Sequence, residues 1–181
     1  MSPSVAREGV PALHRAYRAV LVAVSYPGRA VPVAPTTEAA LGLVLLSTWE
    51  PGSRVALAGS PPPPLPWETE PVPAACAELL VVGGTSSGGA LGCVHRGDED
   101  RPEAGGTAVY AVSEGRAGQR VRLRGPGVPG TLDTDLLLDA AELTDRDAAC
   151  AAWPMGVDLL VVDPAGRVTA LPRTTRVERL A

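Results

Sequence analysis

The chain has 181 residues, of which 16 are basic and 20 acidic, giving a net charge of −4, and 45% are hydrophobic. This length and composition predict one folded domain spanning residues 1–181 and exclude a globally disordered chain. All the basic residues are arginines, because the sequence contains no lysine. The lack of lysine excludes Schiff-base chemistry and the Gly-Lys-Ser/Thr phosphate loop.

Phenylalanine, isoleucine and asparagine are missing as well. All four missing types have AT-rich codons, so we attribute the arginine surplus to genome composition and expect no nucleic-acid partner. Residues 1–9 lack the apolar core of a signal peptide, and no apolar run approaches the roughly 18 residues of a membrane span. We therefore expect a cytoplasmic protein that does not contact a membrane.

The side chains that commonly bind transition metals are few and widely spaced: Cys76, Cys93, Cys150, His14 and His95. Their spacing matches no zinc site, and the three cysteines predict small buried or chemically idle thiols in a reducing compartment. The acidic segment Asp133–Asp163 lacks the spacing of a calcium loop and is interpreted as a solvated face. We expect neither a metal nor another cofactor.

The N-terminal third predicts two helices and two short strands. The first helix begins near Pro11 and is ended by Tyr26–Gly28. Strands are predicted at Val31–Val33 and Arg54–Ala58, on either side of a second helix at Thr37–Trp49. The face of the first helix that we expect to be buried carries large apolar residues at helical spacing, namely Leu13, Tyr17, Val20, Leu21 and Val24.

The middle of the chain is rich in proline and glycine. Gly59–Pro73 is a proline-rich surface segment, predicted to run extended and solvated. A buried strand, Glu78–Val82, leads into the Gly/Ser-rich stretch Gly83–Gly92, and a weak helical pattern covers Ser87–His95. Gly97–Gly106 is predicted to be a charged loop.

The C-terminal half predicts strands at Thr107–Val112 and Arg120–Arg124, joined into a hairpin by Ser113–Gln119. A helix is expected at Thr144–Ala152, with Thr144 as its N-cap. A second hairpin pairs two strands, Val157–Val162 and Arg167–Leu171, across the turn Asp163–Gly166. This mixture predicts a layered α/β fold around a mixed β-sheet.

One motif has the pattern of a catalytic serine. Gly84–Gly88 fits Gly-x-Ser-x-Gly, places Ser86 at its centre and follows a strand, as a nucleophile elbow does. An elbow needs a histidine base later in the chain, and no histidine follows His95. We therefore interpret the segment as a flexible Gly/Ser turn and keep a small serine hydrolase using Ser86 as an alternative hypothesis.

A second motif resembles a dinucleotide-binding loop. Gly125–Gly130 fits Gly-x-Gly-x-x-Gly after a strand, but Pro126 and Pro129 remove two N–H donors that a pyrophosphate would need. Asp133 and Asp135 add negative charge nearby. The segment is predicted to be a rigid loop.

Arginines are concentrated at two places. Arg120, Arg122 and Arg124 share one face of a predicted strand, and Arg173 and Arg176 lie in the C-terminal segment, close to Arg179. Forked guanidinium groups bind carboxylates and phosphates. Either group is a candidate contact for an acidic partner or an anion, and an ordinary solvated surface is the alternative interpretation for both.

Several segments together resemble the PhnH family, a subunit of the bacterial carbon–phosphorus lyase core complex. The most distinctive are Trp153–Leu160 (WPMGVDLL) and Ala170–Val177 (ALPRTTRV). Supporting segments are His14–Arg18, Ser25–Gly28, Pro102–Gly105 and Arg122–Gly127. The chain departs from the family pattern at Gly59–Pro73, where a helical stretch is expected, and at Gly88, Gly89 and Gly92, which dilute a helix.

The resemblance implies a three-layer fold like the large domain of pyridoxal-phosphate-dependent transferases, without the cofactor. It also implies a homodimer when alone, and assembly with sister subunits that form ribose 1-phosphonate 5-triphosphate from ATP and a phosphonate. It assigns no catalytic residue to this subunit. Our candidate interface or anion-contact residues are Arg173, Thr174, Thr175, Arg176, Arg120, Arg122 and Arg124. A stand-alone phosphonate or nucleotide binder is a further alternative.

Overall fold

The computed structural model describes residues 9–59, 61–113 and 118–180. The helices of this part are α1 (Gly9–Ser25), α2 (Thr37–Thr48), α3 (Ala90–Cys93) and α4 (Ala140–Ala149). The strands are β1 (Val31–Pro32), β2 (Val55–Gly59), β3 (Leu79–Gly83), β4 (Thr107–Ala111), β5 (Gln119–Arg124), β6 (Leu132–Leu136), β7 (Asp158–Val162), β8 (Arg167–Leu171) and β9 (Arg176–Arg179).

Six strands form the main sheet in the order β1-β8-β7-β4-β3-β2. Strands β2, β3, β4 and β7 run parallel to one another, whereas β8 pairs antiparallel with both β7 and the edge strand β1. The strand sequences of β3 and β7 are nearly unbroken apolar runs, as expected for strands covered on both faces. The predicted α/β fold with a mixed sheet is confirmed.

Helical and strand layers cover the two faces of this sheet. Leu79 and Val81 of β3 join a core cluster with α1 and α2, whereas Leu80 and Val82 point the other way into a second cluster. The second cluster includes residues of α3 and α4 and of a three-stranded sheet with the order β6-β5-β9. The architecture therefore has three layers.

Helix α1 buries a different face from the one predicted. The residues in its buried face are mainly alanines: Ala12, Ala16, Ala19, Val20 and Ala23. Of the predicted stripe, Tyr17, Leu21 and Val24 are exposed, and only Val20 belongs to the buried face. Small side chains allow α1 to lie close to α2 and β8, so the large residues are displaced to the outside.

The predicted hairpin between Thr107–Val112 and Arg120–Arg124 is wrong. Strand β4 lies in the main sheet between β3 and β7, while β5 pairs with β6 and β9 in the small sheet. Most of the predicted link, residues 114–117, lies outside the described residues. The expected hairpin of β7 and β8 is confirmed, with Leu159 paired to Leu171.

Helix α4 starts earlier than predicted. Its N-cap is Asp139, not Thr144, and the helix ends at Ala149. The Thr144 hydroxyl donates to the Ala140 carbonyl at 3.0 Å, which is the bond that a threonine inside a helix makes. The weak helical pattern at Ser87–His95 corresponds to the single turn α3.

In residues 61–73 the proline-rich segment lacks helices and strands, and about half of these residues are exposed. Leu65 and Trp67 depart from the prediction of a solvated segment, because both pack against the core on the α1/α2 face. The thiols also differ from the prediction, since Cys76 and Cys93 are exposed and Cys150 is half-buried. Across the described residues, all helices are too short or too polar to cross a lipid bilayer.

Candidate functional site

The segment Pro172–Thr175, which connects β8 to β9, is held in place by Arg173. The guanidinium donates to Asp158 Oδ2 from Nη2 at 2.6 Å and from Nε at 3.0 Å, and the Arg173 backbone N–H donates to Asp158 Oδ1 at 2.7 Å. Nη1 reaches the Pro102 carbonyl at 2.5 Å and Nη2 the Gly105 carbonyl at 3.2 Å. With its side chain only 13% exposed, Arg173 ties three segments of the chain together.

A second arginine, Arg146 of α4, binds the same segment from the protein interior. Its side chain is 2% exposed, and Nη2 donates to the carbonyls of Pro172 at 2.8 Å and Thr175 at 2.6 Å. Nη1 pairs with Asp147 at 3.2 Å. The Arg146 Nε and the Thr175 hydroxyl are buried and have no hydrogen-bond partner in the described part of the chain. A buried guanidinium with these partners serves to fix the backbone.

The outer side of this segment opens into a cleft of about 580 Å³, which we call the C-terminal cleft. Its walls are formed by Gly125, Pro126, Arg146, Asp147, Cys150, Ala151, Trp153 and Arg173–Val177. Trp153 is 70% exposed at its rim, and Arg176 is exposed with no carboxylate within 4.0 Å among the described residues. Arg176, Thr174 and the half-exposed carboxylate of Asp147 are therefore the polar side chains available to a ligand or partner.

The arginines of β5 are paired across the small sheet. Arg122 meets Asp133 with its Nε and Nη2 at 2.7 and 2.8 Å, and Arg120 reaches Asp135 at 3.4 Å. The hydrogen bond between Arg122 and Asp133 raises the pKa of Arg122 and lowers that of Asp133. An anion on this face would have to compete with these carboxylates.

The predicted contact residues thus separate into two groups. The structure brings Arg173, Thr174, Thr175 and Arg176 together in the C-terminal cleft, although the Arg173 guanidinium and Thr175 point into the protein. Arg124 lies opposite Arg176 in the strand register, close to the cleft, and is 3.9 Å from Glu178. Arg120 and Arg122 remain on the face of the small sheet.

Ser86 lies beside a buried carboxylate. Its Oγ donates to Glu142 Oε2 at 3.3 Å, and the Ser87 N–H donates to the same oxygen at 3.0 Å. The Tyr110 hydroxyl donates to Glu142 Oε1, and burial, followed by the charge of Glu142, raises the pKa of Tyr110. His95 hydrogen-bonds instead with Ala104 and Gly97, so within the described residues no histidine bonds to Ser86. These hydrogen bonds to Glu142 fix the turn at Ser86 and Ser87 against α4.

A second cleft, of about 620 Å³, lies at the carboxyl ends of β3 and β4, where α/β proteins commonly bind ligands. Its lining includes Ser86, Ser113 and Thr85, together with Glu38 and Asp139, and the described residues add no arginine to it. A phosphate or phosphonate there would face the negative charge of Glu38 and Asp139. Across the described residues, no group of three or more His, Cys, Asp and Glu side chains is placed to hold a metal.

The structure corrects the interpretation of the acidic segment as a solvated face. Glu142 and Asp163 are buried, and Asp163 accepts bonds from the backbone of Ala165 and from Arg167. Sequence reasoning also missed the partners of the Arg173 segment, Asp158 and Arg146. Both carried a signal: Asp158 is a charged residue opening an apolar strand, and Arg146 is the one basic residue between Asp133 and Asp163.

The Gly125–Gly130 motif is a structural loop, as predicted. A Cβ on Gly127 would lie 2.1 Å from the Ser25 carbonyl at the end of α1, and one on Gly125 would lie 2.8 Å from the Thr174 carbonyl. Both glycines have positive φ angles, of 79° and 138°. The loop therefore uses its glycines to pack against α1 and against the wall of the C-terminal cleft.

Comparison with known proteins matches residues 67–178 to the family described as "Bacterial phosphonate metabolism protein (PhnH)". The matched region includes the C-terminal cleft and both arginines that shape it. The chain belongs to the PhnH family. It is also 33% identical over 174 residues to the "Putative C-P lyase subunit protein HtxG" of Stutzerimonas stutzeri, an alignment that covers 92% of this chain and 86% of that protein. The PhnH resemblance noted in the sequence is confirmed.

Proposed function

We propose that this PhnH-family protein is a non-catalytic, accessory subunit of a carbon–phosphorus lyase complex. The observation that carries the proposal is the Pro172–Thr175 segment, which lies inside the family-matched region and is fixed by Arg173 and Arg146. These arginines bind the chain's own carbonyls and carboxylates. The chain therefore uses the guanidinium groups of Arg173 and Arg146 to fix the shape of a surface, as a protein that contacts other subunits requires.

The role within such a complex is to support formation of ribose 1-phosphonate 5-triphosphate from ATP and a phosphonate during phosphonate catabolism. Support for an accessory role comes from the lack of an assembled nucleophile and base around Ser86 in the described residues. We further propose that the protein forms a homodimer when alone and works in the cytoplasm. Its fold is proposed to resemble the large domain of pyridoxal-phosphate-dependent transferases, with no lysine to hold that cofactor.

The contact surface that we propose is the rim of the C-terminal cleft. Arg176 and Thr174 present polar groups there, Trp153 presents an exposed aromatic ring, and Arg124 adds a charge close by. Tryptophan and arginine are the residue types that most often dominate binding energy at interfaces. An acidic loop of a sister subunit, or a phosphorylated ligand shared with it, fits this combination of charge and aromatic surface.

Co-expression with the other carbon–phosphorus lyase subunits tests the proposal. We expect the wild-type chain to co-purify with them, and Arg176→Glu to reduce the recovered partner by at least about tenfold, the effect of losing one interface ion pair worth ~1.4 kcal/mol. Arg54→Glu, at an exposed arginine directly before the edge strand β2, is the control and should leave recovery unchanged. Equal recovery with Arg176→Glu and wild type would remove the cleft from the contact surface.

A further inference from the structure

Helix α1 carries an apolar face that nothing in the described chain covers. Seven large hydrophobic residues are exposed in the described part of the chain. Five of them lie on α1 or in the turn after it: Val10, Tyr17, Leu21, Val24 and Tyr26. The four on the helix are between 43% and 79% exposed and fall within an arc of roughly 60° at 3.6 residues per turn. Contiguous exposed apolar surface of this kind is typical of interaction sites.

The folded domain does not need these side chains. Helix α1 contacts α2 and β8 through a different face, which is buried and consists mainly of alanines. Exposed Tyr17, Leu21 and Val24 contribute little to that packing, and each costs free energy in water that burial would recover. At the end of the helix, Val24 leads into a groove of about 310 Å³, whose other walls include Trp49, Leu160 and Pro172. The groove can accept an apolar side chain from a partner.

The charged side chains of α1 within the described residues, and of the turn that follows it, are all basic. Arg18 borders the apolar stripe, about 60° round the helix from Leu21, and Arg15 lies about 60° further round in the same direction. From Gly9 to Thr37 the sequence has no acidic residue. In the described part of the chain, neither arginine has a carboxylate within 4.0 Å, and both are exposed. Arg29 lies over the ring of Tyr26 at 5.9 Å and adds a further positive charge beside the helix. The surface is basic on a chain whose net charge is −4.

This charge argues against a second copy of the chain as the occupant. In a two-fold antiparallel pairing of α1, each flank faces the same flank of the other copy, so Arg18 would approach Arg18. Like charges at an interface lower affinity, whereas an acidic flank opposite Arg15 and Arg18 would raise both affinity and association rate.

We propose that this surface, the α1 docking face (Val10, Tyr17, Leu21 and Val24, flanked by Arg18), binds a different protein through a helix that is apolar along its centre and acidic on one flank. Resting on the proposed function, the inference identifies that protein as another subunit of the carbon–phosphorus lyase complex. The α1 docking face is formed by other residues than the C-terminal cleft, so the two surfaces are separable by mutation.

The experiment is co-expression and native mass spectrometry with the other carbon–phosphorus lyase subunits. Arg15→Glu/Arg18→Glu changes only exposed charge, and we expect it to reduce the assembled fraction by at least about tenfold, as does Leu21→Glu. Arg54→Glu/Arg101→Glu reverses two exposed arginines elsewhere and should assemble like wild type. Unchanged thermal unfolding of each variant alone shows that the fold is retained; if Leu21→Glu unfolds, the double charge reversal decides.

Three outcomes would overturn the inference. Assembly of wild type and of both α1 variants to the same extent removes the face from the complex while the proposed function stands. Conversion of a wild-type dimer into a monomer by Leu21→Glu, with subunit assembly intact, assigns the face to a second copy. Failure of the wild-type chain to assemble at all overturns the proposed function and this inference with it.

Discussion

Asp158, the first residue of β7, binds Arg173 through two guanidinium nitrogens and the backbone N–H of the same residue. This three-point contact places the segment after β8 against the start of β7, and Arg173 extends it to the Pro102–Gly105 turn. The Arg173 guanidinium is largely buried and the Asp158 carboxylate is partly exposed, and because the two charges are paired they shape the C-terminal cleft without offering a free charge to a ligand.

Removing one member of this pair should destabilise the fold. Asp158→Ala or Arg173→Ala leaves the other charge partly buried and unpaired, and we expect a loss of about 2–3 kcal/mol, or roughly 4–10 °C in Tm. Thermal unfolding followed by circular dichroism measures this loss. Arg176→Ala, at the exposed rim, is the control and should change the stability by less than ~0.5 kcal/mol. Equal Tm values for all three variants would show that the pair has no structural role.

Because Arg173 is paired with Asp158, reversing its charge should affect the stability of the fold as well as assembly. Arg173→Glu places a second carboxylate beside Asp158, so we expect weaker assembly with partner subunits together with a lower Tm. Arg176→Glu should weaken assembly at an unchanged Tm. Measuring both quantities on both variants separates loss of shape from loss of contact, and a normal Tm for Arg173→Glu would contradict the structural role given to that residue.

Because of Tyr110, we expect the free energy of unfolding to fall at alkaline pH. Burial and the Glu142 carboxylate raise its pKa above the ordinary value of 10.0, so the folded chain keeps a proton that the unfolded chain releases. Stability is therefore retained below about pH 10 and falls as the pH rises beyond it. Tyr110→Phe leaves Glu142 with one donor fewer, so we expect it to cost about 1–3 kcal/mol at neutral pH and to flatten this alkaline decline. Urea unfolding of both proteins between pH 8 and 11 checks this; parallel curves would contradict it.

Ser86 should not behave as a catalytic nucleophile. Its hydroxyl donates to Glu142 and has no histidine partner among the described residues, so we expect no covalent labelling by a fluorophosphonate probe. Intact-protein mass spectrometry detects the adduct, and Ser86→Ala is the control for labelling elsewhere. A stoichiometric adduct that disappears in Ser86→Ala would restore the serine hydrolase hypothesis.

The isolated chain should not be a strong binder of phosphonate or nucleotide. Among the described residues, the cleft at the ends of β3 and β4 is lined by Glu38 and Asp139 and by no arginine, and the cations of the C-terminal cleft are mostly paired internally. Titration with ATP and with methylphosphonate should leave Tm unchanged at millimolar ligand. A rise in Tm that grows with ligand concentration would instead indicate a binding site on the native state and favour the stand-alone binder.

Local patterns in the sequence predicted much of the fold. The apolar run of β3, the turn Asp163–Gly166 and the capped α2 follow from short-range rules, and each lies where predicted. Apart from the start of α4, which was placed at Thr144 instead of Asp139, the main failures are long-range. Nothing local distinguishes a hairpin of β4 and β5 from their placement in two sheets, because that choice depends on which strands cover which face of the core.

Helix α1 shows the same limit at the level of a single element. Two stripes run along it at helical spacing, one of large residues and one of alanines, and size alone favours burying the large one. Close packing against α2 and β8 selects the alanines instead. The candidate site shows the same limit. The motif locates the segment Pro172–Thr175, but the structural role of Arg173 depends on Asp158, 15 positions earlier in the chain.

Native mass spectrometry of the chain co-expressed with the other carbon–phosphorus lyase subunits tests the central claim most directly. We expect a stoichiometric assembly that contains this chain. Arg176→Glu and Arg15→Glu/Arg18→Glu should each reduce that assembly, and Arg54→Glu should leave it unchanged. A chain that stays apart while the other subunits assemble would contradict the account, leaving membership of the PhnH family as a statement of ancestry and fold.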